Sequence, residues 1–158
     1  MKNRTTVEQK SDRELVVTRT FNAPPRLVFE AWTKPELLKQ WWAPKSTGVT
    51  LLSCEADVRV GGTYRFVFGF GAGEPMAFHG KYVEVVAPSR LVWTSDEDTG
   101  GGAVTTVTFE EVAGKTRVVV HELHPSKEAL DAARASGVEA GTLESFAQLD
   151  ELLASQRA

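Results

Sequence analysis

Three groups of residues in this chain are of types suited to chemistry, and their spacing limits what that chemistry is. The first is His121-Glu122-Leu123-His124. Two histidines three apart fall on opposite faces of a strand, and on a helix they would still need further ligands, so this spacing predicts no metal site. Glu122 and His121 remain as weak candidates for proton transfer, because acid–base work needs a carboxylate or imidazole held in a dry pocket. The plain alternative for Glu122 is a strand-end glutamate bonded to a neighbouring strand or to Arg117. Glu84 invites the same pair of readings. The second group is a single residue, Cys54, which lies in an apolar stretch and reads as a small buried hydrophobe. No G-x-S-x-G segment supplies a nucleophile elbow, so no catalytic residue is assigned and the chain reads as a binding protein before an enzyme. The third group is the aromatics, 4 Trp, 8 Phe and 2 Tyr. Trp42, Phe66, Phe68, Phe78, Tyr82, Trp93 and Phe146 are candidate lining for an apolar ligand, although the same stripe serves equally well as core.

Alternation decides which of these residues share a face. In Thr63 to Phe70 the residues Tyr64, Phe66, Phe68 and Phe70 fall on one side, and Thr63, Arg65, Val67 and Gly69 on the other. The ring-bearing side is the one to bury. Phe78, Gly80 and Tyr82 match it, turning His79 and Lys81 outward, and Leu91, Trp93, Val107, Phe109, Val118 and Val120 continue it. That register sends Glu122 inward and His121 outward, and places Glu84 in line with Tyr82. One bulge would exchange the members of such a pair. Cys54, Ala56 and Val58 form the apolar set of their strand, with Glu55 and Asp57 outside.

The elements that must hold these residues follow from punctuation. Residues 1–12 are polar and read as an arm, frayed until Glu14. Residues 13–156 read as a single domain. ELVVTRTF (14–21) is strand-like in composition. Asn22 offers a cap and Pro24-Pro25 a first turn for a short helix that carries Val28, Phe29 and Trp32 on one face. Thr33-Lys34-Pro35-Glu36 is a capping-box pattern that opens a second short helix ending before Pro44. Six strands follow, about 49–59, 63–70, 76–86, 90–96, 103–112 and 115–123, separated by turn signals such as Gly61-Gly62, Gly71-Ala72-Gly73, Ala87-Pro88-Ser89 and Thr99 to Gly102. Short connections make them an antiparallel meander. Ser126 caps a short helix, and after Gly137 a long one presents Leu143, Phe146, Leu149 and Leu153 as a stripe, with Asp150 and Glu151 toward the far side. Small residues at Gly80, Ala140, Gly141 and Ala147 leave room between that helix and the sheet. Trp41 and Trp42 are adjacent on a helix, so only one faces the core and the other is free to gate a pocket or meet a protein.

The chain as a whole excludes several classes. With 158 residues and a net charge of −3, it lacks the basic stripe of a nucleic-acid binder. No stretch reaches the length of a membrane span, and the polar N-terminus shows no signal-peptide core. One cysteine cannot form an internal disulfide, which fits a reducing cytoplasm. No cofactor motif is present: the Gly-rich 99–102 segment precedes no helix, so it is no phosphate cradle.

The order strand, two short helices, six-stranded meander and long terminal helix resembles the helix-grip fold of the START and birch-pollen-allergen superfamily, SRPBCC. Within it, RTFNAPPRLVFEAWTKPELLKQWWAP, CEADVRVGGTYRF, FHGKYVEVVAPSRLVWT and GVEAGTLESFAQLDELLA resemble the family named after the activator of the heat-shock-protein-90 ATPase. The resemblance runs from about Glu14 to Ser155 and rests on fold motifs, not catalytic ones. It implies an α+β fold in which a curved seven-stranded antiparallel sheet grips the last helix, with a pocket opening near the short helices. The founding member stimulates a chaperone's ATPase, and the wider superfamily includes lipid carriers, antibiotic binders and polyketide cyclases, none of which transfers by fold alone. The expectations are an apolar small molecule, lipid-like or aromatic, bound between sheet and helix. The rivals are a cyclase- or hydrolase-like enzyme and a chaperone-binding module in a stress response. A weak homodimer through the sheet edge is compatible with each.

Overall fold

The computed structural model describes residues 5–43, 50–69, 75–95, 103–135 and 138–157. Its elements run β1 (Thr6–Gln9), β2 (Glu14–Phe21), α1 (Pro25–Thr33), α2 (Pro35–Trp41), β3 (Thr50–Ala56), β4 (Thr63–Gly69), β5 (Met76–Val86), β6 (Arg90–Ser95), β7 (Val104–Val112), β8 (Lys115–Leu123), α3 (Lys127–Ala135) and α4 (Val138–Arg157). The strands form one antiparallel sheet in the order β1-β2-β8-β7-β6-β5-β4-β3. The short connections read from the sequence thus produce a meander from β3 to β8. The first two strands then join its far edge through the β2–β8 ladder, Glu14↔Leu123 to Phe21↔Thr116.

The sheet has eight strands where the sequence predicted seven. The extra one lies in the supposed arm, where Thr6 to Gln9 pair with Thr18 to Leu15. A four-residue polar edge strand gives almost no periodic signal, because one of its faces and one of its ladders meet water. Two helix starts also differ from expectation. α1 begins after Pro24 and α2 after Lys34, neither with a side-chain cap. The Thr33 hydroxyl instead donates back to the Phe29 carbonyl at 2.9 Å. Proline at the first helical turn makes a cap less necessary, since it removes one of the donors a cap would satisfy. Ser126 does cap α3, accepting from the Ala129 N–H at 3.1 Å.

The inner face of the sheet can be followed as rows of side chains that cross neighbouring strands. One row is Phe109, Val118 and Arg19; the next is Val85, Leu91, Val107, Val120 and Val17; the third is Tyr82, Trp93, Thr105, Glu122 and Leu15. α1 closes the first two rows. Val28 and Ala31 are fully buried, and Phe29 meets Phe109 edge-on at 5.4 Å. α4 lies against the sheet with Phe146, Leu149 and Leu153 buried. Leu143 is the exception to its predicted stripe and is 44% exposed. Ala147 is exposed as well, so it does not widen the gap as expected. Asp150, predicted to face away, pairs with Arg19 on the inner side of β2. A carboxylate one step round the helix from Leu149 is reached by the long arginine side chain, which helical spacing alone does not reveal.

Two glycines are fixed by close approach. A Cβ on Gly80 would lie 1.7 Å from the Thr94 carbonyl oxygen, and one on Gly62 would lie 1.9 Å from that of Asp57. Gly61 adopts φ +85°, where a side chain is strained. Phe70, Pro44, the 71–73 and 99–102 turns and Gly137 lie outside the described residues, as do the side chains of Ala140 and Gly141.

Candidate functional site

Most of the aromatic residues assemble into one connected cluster, and Phe68 and Phe78 form a separate pair on the same face of the sheet. Trp32 from α1 is its hub, with ring centroids 4.9 Å from Trp41, 5.7 Å from Trp42, 6.2 Å from Trp93 and 6.0 Å from both Phe109 and Phe146. Trp42 reaches the sheet at Phe66 (5.6 Å), and Tyr64 joins Phe66 (5.5 Å) to Tyr82 (5.7 Å). Tyr82 meets Trp93 at 6.5 Å, and Phe68 meets Phe78 at 5.3 Å. Most contacts are edge-to-face, the arrangement the ring quadrupoles favour.

These rings are graded in exposure. Trp41, Phe66, Tyr82 and Phe146 are buried, whereas Trp42, Phe68, Phe78 and Trp93 are only half-buried. All seven rings predicted to line a pocket therefore lie on the inner face or on the helices over it, four of them with surface to spare. The sequence suggested that only one of the adjacent tryptophans could pack inward. Trp41 is buried, and Trp42, the C-cap residue whose N–H still donates to the Leu38 carbonyl, packs half-buried beside it against Trp32 and Phe66. Trp41 is sealed, its indole N–H donating to the Ala31 carbonyl at 2.9 Å, so it is no surface for a protein partner. Trp42 sits at the margin, held where Ser145 and Gln148 of α4 donate to the carbonyls of Trp42, Trp41 and Ala43 at 2.8–3.0 Å.

The end of the sheet nearest α1 is closed by Phe21, Val28, Phe29 and Phe109, all buried. Phe68, Phe78 and Trp93 are displaced toward the other end, along β4, β5 and β6. A shallow groove elsewhere, lined by Gln40, Gln148, Glu151, Leu152 and Ser155 between α2 and α4, is polar and separate from the rings.

Polar groups in this region are few and differ in how they are satisfied. The Tyr64 hydroxyl donates to the Thr94 carbonyl at 2.8 Å. The Trp32 N–H is buried and has no acceptor among the described residues. Burial, with smaller contributions from Tyr64 and Cys54, raises the Tyr82 phenol well above its ordinary range, so it stays neutral. Cys54 is buried, as predicted; burial pushes its thiol up to about 11, which keeps it protonated and unreactive.

The two proton-transfer candidates part company. His121 faces outward and pairs with Glu14 at 2.9 Å. That hydrogen bond, chiefly, holds the half-buried Glu14 carboxyl below its usual value. Glu122 faces inward, its register neighbours being Leu15 and Thr105. Its Oε1 lies 3.1 Å from Nε2 of the buried His124. Arg117, the alternative partner, is engaged with Glu110 at 3.5 Å. Glu84 does not face inward. A bulge between Tyr82 and Glu84 shifts the register, so that Val85 takes the inner position and Glu84 pairs with Arg90 at 2.8 Å. The structure brings in Thr105, which sequence reasoning passed over, and sets His124, weighed there only as a metal ligand, beside Glu122. Both carried a signal, for Thr105 shares the parity of Val107 and Phe109, and His124 that of Val118 and Val120. Among the described residues no three His, Cys, Asp or Glu are grouped to hold a metal ion, and no helix is long and apolar enough to cross a membrane.

Comparison with known proteins bears on this arrangement. Residues 22–154 match the family described as "Activator of Hsp90 ATPase homolog 1-like protein". The fold is similar to that of a protein from Rhodobacter sphaeroides (25% identity, TM-score 0.88, covering 96% of this chain and 99% of that one). It is also similar to one from Nitrosomonas europaea (25%, 0.85, 94% and 98%), and to one from Staphylococcus epidermidis (30%, 0.79, 96% and 94%). Among curated proteins none matches the chain.

Proposed function

The chain belongs to the activator of Hsp90 ATPase homolog 1-like family, a helix-grip fold, and from that premise we propose that it binds an apolar, ring-containing or lipid-like small molecule between the inner face of the sheet and α4. The observation that supports this reading is the exposure gradient across the aromatic residues of the inner face and of the helices over it. Rings that served packing alone would be covered throughout, as Trp41 and Phe146 are. Trp42, Phe68, Phe78 and Trp93 instead keep part of their surface uncovered. Covering that surface is worth about 25 cal/mol per Å². A few polar groups would orient the ligand, as in most small-molecule sites. The buried, unpartnered Trp32 N–H is one such group: a ligand oxygen would recover part of the roughly 1–3 kcal/mol that an unsatisfied buried donor costs.

The test is a thermal-shift screen against fatty acids and polycyclic aromatics. A ligand at 100 times its Kd stabilises by about 2.7 kcal/mol, which for a domain of this size raises Tm by roughly 5–10 °C. The shift is expected in the native protein and is expected to vanish in a Trp93→Ala, Phe78→Ala variant. A screen in which no compound moves Tm removes the proposal.

A further inference from the structure

The third row of the inner face, Tyr82, Trp93, Thr105, Glu122 and Leu15, differs from the two behind it. Its neighbour row, Val85, Leu91, Val107, Val120 and Val17, is wholly aliphatic. In the third row an aromatic half on β5 and β6 meets a polar half on β7 and β8, and the register of three consecutive ladders puts them side by side. Glu122 carries this polar half. Its side chain is 25% exposed, and Oε1 is engaged by His124. Among the described residues Oε2 has no hydrogen-bond partner. The Thr105 hydroxyl beside it likewise has none. A carboxylate whose second oxygen lacks a protein donor, fixed by a histidine on its other oxygen, is an acceptor site.

We infer that Glu122, steadied by His124 and flanked by Thr105, accepts a hydrogen bond from a hydroxyl group of the ligand, whose ring system lies against Trp93. This deepens the proposed function and rests on that ring-lined site. Neighbouring strands lie 4.7–4.9 Å apart, so Trp93 and Glu122, two strands apart, are separated by about 10 Å along the row. That span suits a two- or three-ring skeleton bearing one alcoholic or phenolic hydroxyl at its end. The inference also excludes a class. A ligand ending in a carboxylate would set two acceptors against each other with no cation between them, so free fatty acids oriented this way are disfavoured.

Three probes of one skeleton separate the outcomes: 2-naphthol, 2-methylnaphthalene and 2-naphthoate, each titrated into the full chain and followed by NMR of the tryptophan indole N–H signals. The expected order is 2-naphthol tightest, at least tenfold over 2-methylnaphthalene, with 2-naphthoate weakest. Glu122→Gln, nearly isosteric, is expected to cut the naphthol preference below threefold while leaving 2-methylnaphthalene unchanged. Thr105→Val provides a second variant, predicted to lower naphthol binding alone, should Glu122→Gln fail to fold. Equal binding of naphthol and methylnaphthalene overturns the hydroxyl acceptor and leaves the ring-lined site standing. Tightest binding by 2-naphthoate overturns it too. Binding by none of the three overturns the inference together with the site on which it rests.

Discussion

The two ends of the concave face are built from similar residues but finished differently. At the end beneath α1, three polar side chains placed among apolar ones reach protein partners. Arg19 reaches Asp150 of α4 and the Thr5 hydroxyl, Trp41 reaches the Ala31 carbonyl, and the buried Thr116 hydroxyl donates to the Ala23 carbonyl at 2.7 Å. Arg19 Nε and the Trp32 N–H of α1 are the buried polar atoms left without a partner among the described residues. At the opposite end Thr105 and the second oxygen of Glu122 have no such partner, and Trp93, Phe68 and Phe78 are half covered. A fold gains nothing from unused acceptors and bare rings, so the first end reads as the source of stability and the second as the place held ready for something else.

The sharpest way to break this contrast is to truncate one ring at each end. Trp41→Ala is expected to cost about 3–5 kcal/mol, through cavity formation and the loss of its hydrogen bond. Trp93→Ala, half-buried, is expected to cost less than half as much while abolishing ligand-induced stabilisation. Urea unfolding of both variants checks this, and equal losses would erase the distinction between the ends.

A smaller effect is expected at the ion pair of the closed end. Asp150→Ala leaves the Arg19 guanidinium without its carboxylate in a largely buried position, and stability should fall by about 1–3 kcal/mol. Replacing both, as Arg19→Met with Asp150→Leu, should recover most of it, as apolar replacements of buried pairs often do. A double variant no better than Asp150→Ala would mean that the pair does more than satisfy itself.

The smallest effect concerns Cys54, where the thiol rises from its ordinary value of 9.0 to about 11 in the fold. The unfolded chain loses this proton first as pH rises. The contribution is therefore fully present below about pH 9 and is lost between there and about pH 11. At pH 8 the native thiol should react with a disulfide reagent at least tenfold more slowly than in the urea-unfolded chain. Equal rates would place Cys54 at a solvent-open site and extend the unfinished region onto β3.

How much of this was legible in the sequence depended on the kind of signal involved. Alternation in Thr63 to Gly69 and Val104 to Val112 gave the inner face correctly, because a face buried against helices tolerates no slip. Glu84 was misplaced because the bulge after Tyr82 leaves no mark in residue types. β1 escaped notice because a short polar edge strand has no buried face to betray it. The aromatic lining was legible as a set of residues, but the gradation in its exposure was not, since that depends on how far α1 and α4 reach across the sheet. The pairing of Glu122 with His124 and its nearness to Trp93 required the register of three ladders, which no local pattern encodes.

The ladder between β2 and β8 also governs how such a chain comes into being. Its partners stand roughly a hundred residues apart, so on the ribosome the first-made strands emerge long before the strand that completes them. The meander from β3 onward assembles from near neighbours, while β2 and the two short helices wait for residues 115–123 to clear the exit tunnel. During that interval Leu15, Val17 and Phe21 lie uncovered in the nascent chain, which makes slow synthesis through the second half, or capture by a holdase, the condition under which premature association is either invited or prevented.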